Sequence, residues 1–110
     1  MKIAKVQIEW FISRKEIPAV SKKKYNDWIY NPIIVFDNQY NVPIWDNNVS
    51  TVPLWTCVVH NKSIKGHISI AEIKYLSESA PQELMQMNAG FELYEGKSKV
   101  AKGIILELIE

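Results

Sequence analysis

An alternation of apolar and mainly polar residues over positions 4–12 constrains the fold of this chain more than any other feature. The apolar positions are Ala4, Val6, Ile8, Trp10 and Ile12. Between them lie Lys5, Gln7, Glu9 and Phe11. A period of two places the two sets on opposite faces of an extended strand. We therefore predict a half-buried strand here, which needs a surrounding sheet to cover its apolar face.

Four later runs of β-branched and aromatic residues lie between turn formers and are predicted to be short strands. They are "PIIVF" at 32–36, "VPIW" at 42–45, "LWTCVVH" at 54–60 and "HISIAEIKYL" at 67–76. In the last run the isoleucines change phase, so we expect a β-bulge near Ala71 or Glu72. The only candidate helix is a short turn, "PQELMQM" at 81–87, with proline at its start.

The C-terminal stretch "FELYEGKSKVAKGIILEL", residues 91–108, is predicted to be two strands around a tight turn at Glu95-Gly96-Lys97. Gly96 frees this turn from the penalty of a positive φ. Gly103 lies between two phases of the second strand, as an isolated glycine does at a bulge or a sharp barrel bend. Five to seven short strands with turns between them indicate a small closed barrel or a sandwich.

Length and composition fit one folded domain over residues 1–110, with 47% apolar and 23% charged residues. The net charge of +1 provides no global field to hold a polyanion. Cys57 is the single cysteine and has no intrachain partner, which suits a reducing compartment such as the cytoplasm. No segment has the roughly 20 apolar residues of a membrane span, so we expect no membrane contact.

Residues 13–31, "SRKEIPAVSKKKYNDWIYN", lack periodicity and are predicted to be a long loop. A run of three consecutive lysines in this loop lies beside three aromatic residues: Lys22, Lys23, Lys24, Tyr25, Trp28 and Tyr30. Interleaved cations and rings suit contact with a nucleic acid or an acidic partner. The near-zero net charge favours the alternative, a solvated lysine run on a loop anchored by its aromatic residues.

Two further groups leave alternatives open. Lys97, Lys99 and Lys102 would extend such a patch if the fold brings the hairpin beside the loop, or they would protect an edge strand from pairing. The tryptophans also divide into two sets. Trp10 and Trp55 lie in predicted strands and are expected in the core, whereas Trp28 and Trp45 lie next to turns and are expected to be exposed.

Three stretches resemble the C-terminal β-barrel domain of translation elongation factor Tu. They are "GFELYEGKSKVAKGIILELI", "IYNPIIVF" and "KVQIEWFISRKE". The resemblance implies an all-β fold, a small closed six-stranded β-barrel. In that family the Glu-Gly turn of the last hairpin touches the T-stem backbone of transfer RNA, which implies a contact role for Glu95 and Gly96. The family's Gly-Arg-His-Thr stretch after the first strand is replaced here by "EIPAVSKKKYNDW".

Catalytic and metal-binding patterns are weak in this sequence. Cys57 and His60 have the residue types of a nucleophile and a base, yet a separation of three places them on opposite faces of a strand. Two histidines, His60 and His67, lack a third metal ligand. No Gly-rich phosphate loop is present, so nucleotide hydrolysis is not expected, and we predict no cofactor and no enzymatic activity.

The preferred hypothesis is a non-catalytic binding module whose long loop and terminal hairpin engage an unidentified protein, such as a translation-related protein or a toxin. The predicted contact residues are Lys22, Lys23, Lys24, Tyr25, Trp28, Glu95, Gly96 and Lys97. The alternative is binding of transfer RNA or another structured RNA through the same residues, and DNA is not expected. An enzyme that acts through Cys57 is the weakest hypothesis.

Overall fold

The computed structural model describes residues 1–13, 16–17, 30–38 and 54–110, together with the backbone of residues 45–46 and 49–50. The described residues form strands and turns with almost no helix. The strands are β1 (Ala4–Trp10), β2 (Ile33–Phe36), β3 (Trp45–Asp46), β4 (Val49–Ser50), β5 (Trp55–Lys65), β6 (Ile68–Tyr75), β7 (Gly90–Glu95) and β8 (Ser98–Leu108).

Six of these strands close into an antiparallel barrel in the order β1-β6-β5-β2-β7-β8, with β8 pairing back onto β1. The prediction of an all-β, closed six-stranded barrel is therefore confirmed. The remaining two strands, β3 and β4, pair only with each other among the described residues. The shortest strand pairing in the barrel is between β2 and β5. It has two residue pairs and an additional bridge between Tyr30 and Val59.

The predicted alternation in β1 is confirmed, because its residues are alternately buried and exposed from Ala4 to Trp10. Its inward side chains meet those of the other five barrel strands in one apolar cluster. The largest fully buried side chains in this cluster are Tyr75, Phe36, Phe91, Ile8, Ile73 and Met85. Trp10 is buried, and Trp55 packs half-buried against the cluster, as predicted. Trp28 lies outside the described residues, and so does the side chain of Trp45.

The prediction of a bulge in β6 near Ala71 or Glu72 is wrong. Strand β6 pairs with β1 without interruption, and the bulge lies on β5 between Asn61 and Ser63. The sequence is misleading because buried Ser69 takes an inward position, while the isoleucines at 68 and 70 are only half-buried on the outer face. Position 69 therefore points into the barrel although its residue is polar, and positions 68 and 70 point outward although both are isoleucine.

Gly103 lies near the middle of strand β8, between two bulges. This glycine pairs in regular register with both Ile8 and Phe91. The bulges lie three residues away on either side, at Val100 opposite β7 and at Leu106 opposite β1. A Cβ at position 103 would lie 2.8 Å from the carbonyl oxygen of Gln7, so a backbone and a ring both approach closely here. Gly103 itself is not in a bulge, and the close approach of Gln7 and Phe91 explains why a residue without a side chain lies here.

The connection between β6 and β7 contains one 3-10 turn, Gln82–Leu84, preceded by Pro81, at the site of the predicted short helical turn. Its neighbour Met85 is fully buried and closes this end of the apolar cluster. Within the described ranges, no helix has the length and apolar character needed to cross a bilayer.

Candidate binding surface

Two hairpin tips lie at the same end of the barrel, on either side of the end of β1. The backbone N–H of Trp10 donates to the carbonyl of His67, in the β5–β6 tip, at 2.8 Å. The N–H of Phe11 donates to Val100, near the β7–β8 tip, also at 2.8 Å. We call the surface formed by residues 10–11, 30, 65–67 and 95–97 the hairpin end.

Both tips are two-residue turns that begin with glycine. Gly66 has a φ of 63° and Gly96 a φ of 59°, as the first turn position of a type II′ hairpin requires. The second turn position is His67 in one tip and Lys97 in the other, and both residues are exposed. Glycine thus allows the sharp reversals that present an imidazole at one tip and an ammonium group at the other.

Tyr30, at the end of the predicted loop and three residues before β2, connects to the terminal hairpin. Its backbone N–H and carbonyl both bond to Val59, and its ring lies tilted against Trp10 with centroids 5.8 Å apart. Its phenol donates a hydrogen bond to the Glu95 carboxylate in the β7–β8 tip. Partial burial, followed by the bond and charge of Glu95, raises the pKa of Tyr30 well above its ordinary value.

Trp10, which supports the Tyr30 ring, is itself fixed by a polar contact inside the barrel. Its indole Nε1–H donates to the Ser69 hydroxyl at 2.9 Å, and Ser69 is only 1% exposed. Because both groups are buried, neither has water as an alternative partner. The chain of contacts from Ser69 through Trp10 to Tyr30 therefore anchors the hairpin end to the core.

The outer face of the terminal hairpin carries a second group of polar contacts. The Glu92 carboxylate forms an ion pair with Lys99 and accepts a hydrogen bond from the Tyr94 phenol at 3.1 Å. Burial and then this hydrogen bond raise the pKa of Tyr94, and the contact with Glu92 raises the pKa of Lys99. These contacts hold Lys99 against Glu92 on the neighbouring strand β7, away from the tip.

The idea that Lys97, Lys99 and Lys102 protect an edge strand is wrong. Strand β8 pairs with β7 on one side and with β1 on the other, because the barrel is closed. Lys102 instead lies 3.9 Å from Glu9 across the β1–β8 pair. Only Lys97 of the three lies in the turn itself, so it is the lysine that the hairpin contributes to the end surface.

The predicted contact residues divide into two sets. Lys22, Lys23, Lys24, Tyr25 and Trp28 lie outside the described residues. Glu95, Gly96 and Lys97 lie together at the β7–β8 tip, beside the end of the predicted loop at Tyr30. The Glu95 carboxylate is already engaged by Tyr30, so the outward-facing group of this tip is Lys97. No local sequence signal links Tyr30 to a residue 65 positions away.

Cys57 is fully buried on the inward face of β5, and burial raises the pKa of its thiol. His60 lies on the other face, as predicted, and its Nδ1 is 3.1 Å from the Lys62 ammonium. A protonated, inaccessible thiol is a poor nucleophile. Among the described side chains, no group of three or more His, Cys, Asp or Glu residues could hold a metal ion.

Comparisons of the chain with protein-family models, with curated proteins and with solved structures find no match.

Proposed function

We propose that this chain is a non-catalytic binding module, a β-barrel like the C-terminal domain of elongation factor Tu, whose hairpin end engages a protein partner. The hydrogen bond from Tyr30 to Glu95 carries this proposal. It connects the end of the long loop to the terminal hairpin. Tyr30, the described residue at the end of the predicted loop, and the predicted contact residue Glu95 therefore belong to one surface.

The chemistry of this surface suits a partner with an acidic rim around an apolar recess. Phe11 is 49% exposed, although it follows a strand whose inward neighbour Trp10 is buried. The flanking tips carry two exposed lysines, Lys65 and Lys97, and the exposed imidazole of His67. A large ring flanked by cations is a common arrangement for a binding anchor with an electrostatic rim.

The non-catalytic part of the proposal is supported by the position of the single thiol. Cys57 lies in the apolar cluster, away from the exposed hairpin end. A nucleophile needs access to its substrate and a thiolate form, and burial opposes both. The exposed groups at the hairpin end instead provide charge and apolar area, which serve recognition.

The test is capture of partners from lysate of the native cell with three immobilised proteins. These are the unchanged chain, the double variant Lys65→Glu/Lys97→Glu, and the control Lys74→Glu, whose exposed lysine lies at the opposite end of β6. We expect the unchanged chain and the control to retain the same specific protein, and the double variant to lose it. Equal retention by all three proteins, or no specific protein at all, would contradict the proposal.

The second candidate, binding of structured RNA, is favoured by the positions of Lys65 and Lys97 on two tips that flank an exposed ring. Contacts with phosphates would make binding strongly dependent on salt. Filter binding of transfer RNA at low salt distinguishes the candidates. Retention that decreases steeply with added salt, and that the double variant abolishes, would favour RNA over protein. No retention at low salt would eliminate RNA.

A further inference from the structure

The outer face of the β1–β8 pair has exposed apolar side chains at its centre and opposite charges at its corners. Ile104 and Leu106 are each 38% exposed on β8. Gln7 lies opposite Ile104 on β1. The corners are Glu9 opposite Lys102 at one end of the face and Lys5 opposite Glu107 at the other.

The four corner charges alternate in sign around the face. Along β1 the order is Lys5, then Gln7, then Glu9, and along β8 it is Lys102, then Ile104, then Glu107. A face with this alternation is complementary to itself when a second copy is turned over by a two-fold axis that lies in the interface. With an axis parallel or perpendicular to the strands, opposite charges face each other across the interface. With a diagonal axis, like charges face each other.

The corner charges are also available for contacts with another molecule. The ion pair of Glu9 with Lys102 is long, at 3.9 Å, and both side chains are about half exposed, at 48% and 60%. Within the described part of the chain, Lys5 and Glu107 face each other without an ion pair. Exposed and loosely paired charges of this kind contribute little to the fold.

A groove beside Ile104 selects between the two favourable axes. It has a volume of about 160 Å³ and is lined by Gln7, Glu9, Lys102, Gly103 and Ile104. It lies at the end of the face that holds Glu9 and Lys102. An axis perpendicular to the strands would place Leu106, which the β8 bulge directs outward, over the groove of the other copy. An axis parallel to the strands would place groove over groove and leave both empty.

We propose that this face binds a second copy of the chain, about a two-fold axis perpendicular to β1 and β8. In the resulting dimer Ile104 meets its own counterpart near the axis, and Leu106 enters the opposite groove. Lys102 faces Glu107 of the second copy, and Glu9 faces Lys5. The hairpin end projects from the end of the strands and stays open, so this inference is independent of the proposed partner.

The face consists of only two strands and its charges are exposed, so we expect a weak dimer with a Kd of about 10 to 1000 μM. Sedimentation velocity of the full chain over this concentration range, at low salt, measures it directly. We expect the monomer fraction to increase on dilution and on addition of salt, since screening weakens exposed charge pairs. A chain that is monomeric at about 1 mM would overturn the proposal.

Charge exchange tests the orientation. Lys102→Glu and Glu107→Lys should each increase the Kd, by about tenfold, because like charges would then meet across the interface. The double variant should restore association, since the same pair is re-formed with reversed signs. Each change also disturbs contacts within its own chain, and the double variant does not restore those contacts. Recovery of dimer affinity in the double variant therefore reports the contact between the two copies.

Two further variants complete the test. Ile104→Lys should abolish the dimer, and Lys74→Glu, on a different face, should leave it unchanged. Thermal unfolding of each variant checks that the barrel is intact. A dimer that survives Ile104→Lys, or a charge-exchange double variant no better than the single variants, would overturn the proposed geometry.

Discussion

The phenol of Tyr30 donates a hydrogen bond to the carboxylate of Glu95, 65 positions later in the chain, and so connects the exit of the first long connection to the turn of the last hairpin. The same tyrosine is anchored below by the Trp10 ring and by backbone bonds to Val59. The hairpin end therefore has internal support from three strands, and its contacts can be tested one at a time.

Tyr30→Phe should lower the free energy of unfolding by about 1 kcal/mol, because it removes a bond to a charged but exposed acceptor and retains the ring. Urea unfolding measures the change. The matched control is Tyr94→Phe, which removes the bond to Glu92 within a single strand and should have a smaller effect. Equal stability of Tyr30→Phe and the unchanged protein would show that the connection across the hairpin end contributes nothing.

Ser69→Ala should cost about 1 to 3 kcal/mol, because it leaves the buried Trp10 indole N–H without its acceptor. A double-mutant cycle with Trp10→Phe isolates the contact from the loss of indole volume. We expect a coupling energy of about 1 kcal/mol between the two positions. Additive effects of the two changes would rule out an energetic role for this hydrogen bond.

Gly103→Ala should destabilise the barrel by about 1 to 3 kcal/mol, because the added methyl group would press on the Gln7 backbone and the Phe91 ring. The control is Gly66→Ala, where the surrounding space is open but φ is positive. That change should cost about 1 kcal/mol through backbone strain alone. Chemical denaturation of both variants gives the comparison, and a smaller cost at position 103 than at 66 would contradict the close approach.

Alkaline pH should destabilise the fold. Burial raises the pKa of Cys57 and the pKa values of Tyr30 and Tyr75, so these groups stay protonated in the folded state after they begin to ionise in the unfolded chain. The unfolded state then binds fewer protons, and stability decreases as pH rises. The contribution is complete below about pH 9 and declines above it, first through Cys57 and then through the tyrosines near pH 10.

Urea unfolding at about pH 8, 9.5 and 11 checks this expectation. Cys57→Ala should reduce the loss between the first two values while leaving the tyrosine part of the loss unchanged. A free energy of unfolding that stays constant over the whole range would contradict the burial of these groups.

Sequence pattern predicts this fold well where one strand face is apolar throughout. In β1 the period of two alone gives the strand and its inward face, because every buried position is apolar. In β6 the same reasoning fails, since buried Ser69 is stabilised by a bond from Trp10 that no local pattern contains. The position of the bulge in the β5–β6 hairpin also depends on how the two strands pair, and the bulge lies on β5.

The candidate surface is less predictable than the fold. The Glu95-Gly96-Lys97 turn is visible in the sequence because glycine at a tight turn has a local cause. The contact of Tyr30 with Glu95 depends on the registers of β2, β5 and β7 together, which place residue 30 beside the last hairpin. The position of a turn can therefore be predicted from its own residues. The residues that contact the turn can be identified only from the closed barrel.

The most direct test of the central claim is photo-crosslinking in the native cell at a single position of the hairpin end. A photoreactive amino acid in place of Lys97 is predicted to give one specific protein adduct, and the same amino acid in place of Lys74 is predicted to give none. No protein adduct at position 97, or the same adducts at both positions, would contradict the claim that this end of the barrel engages a protein.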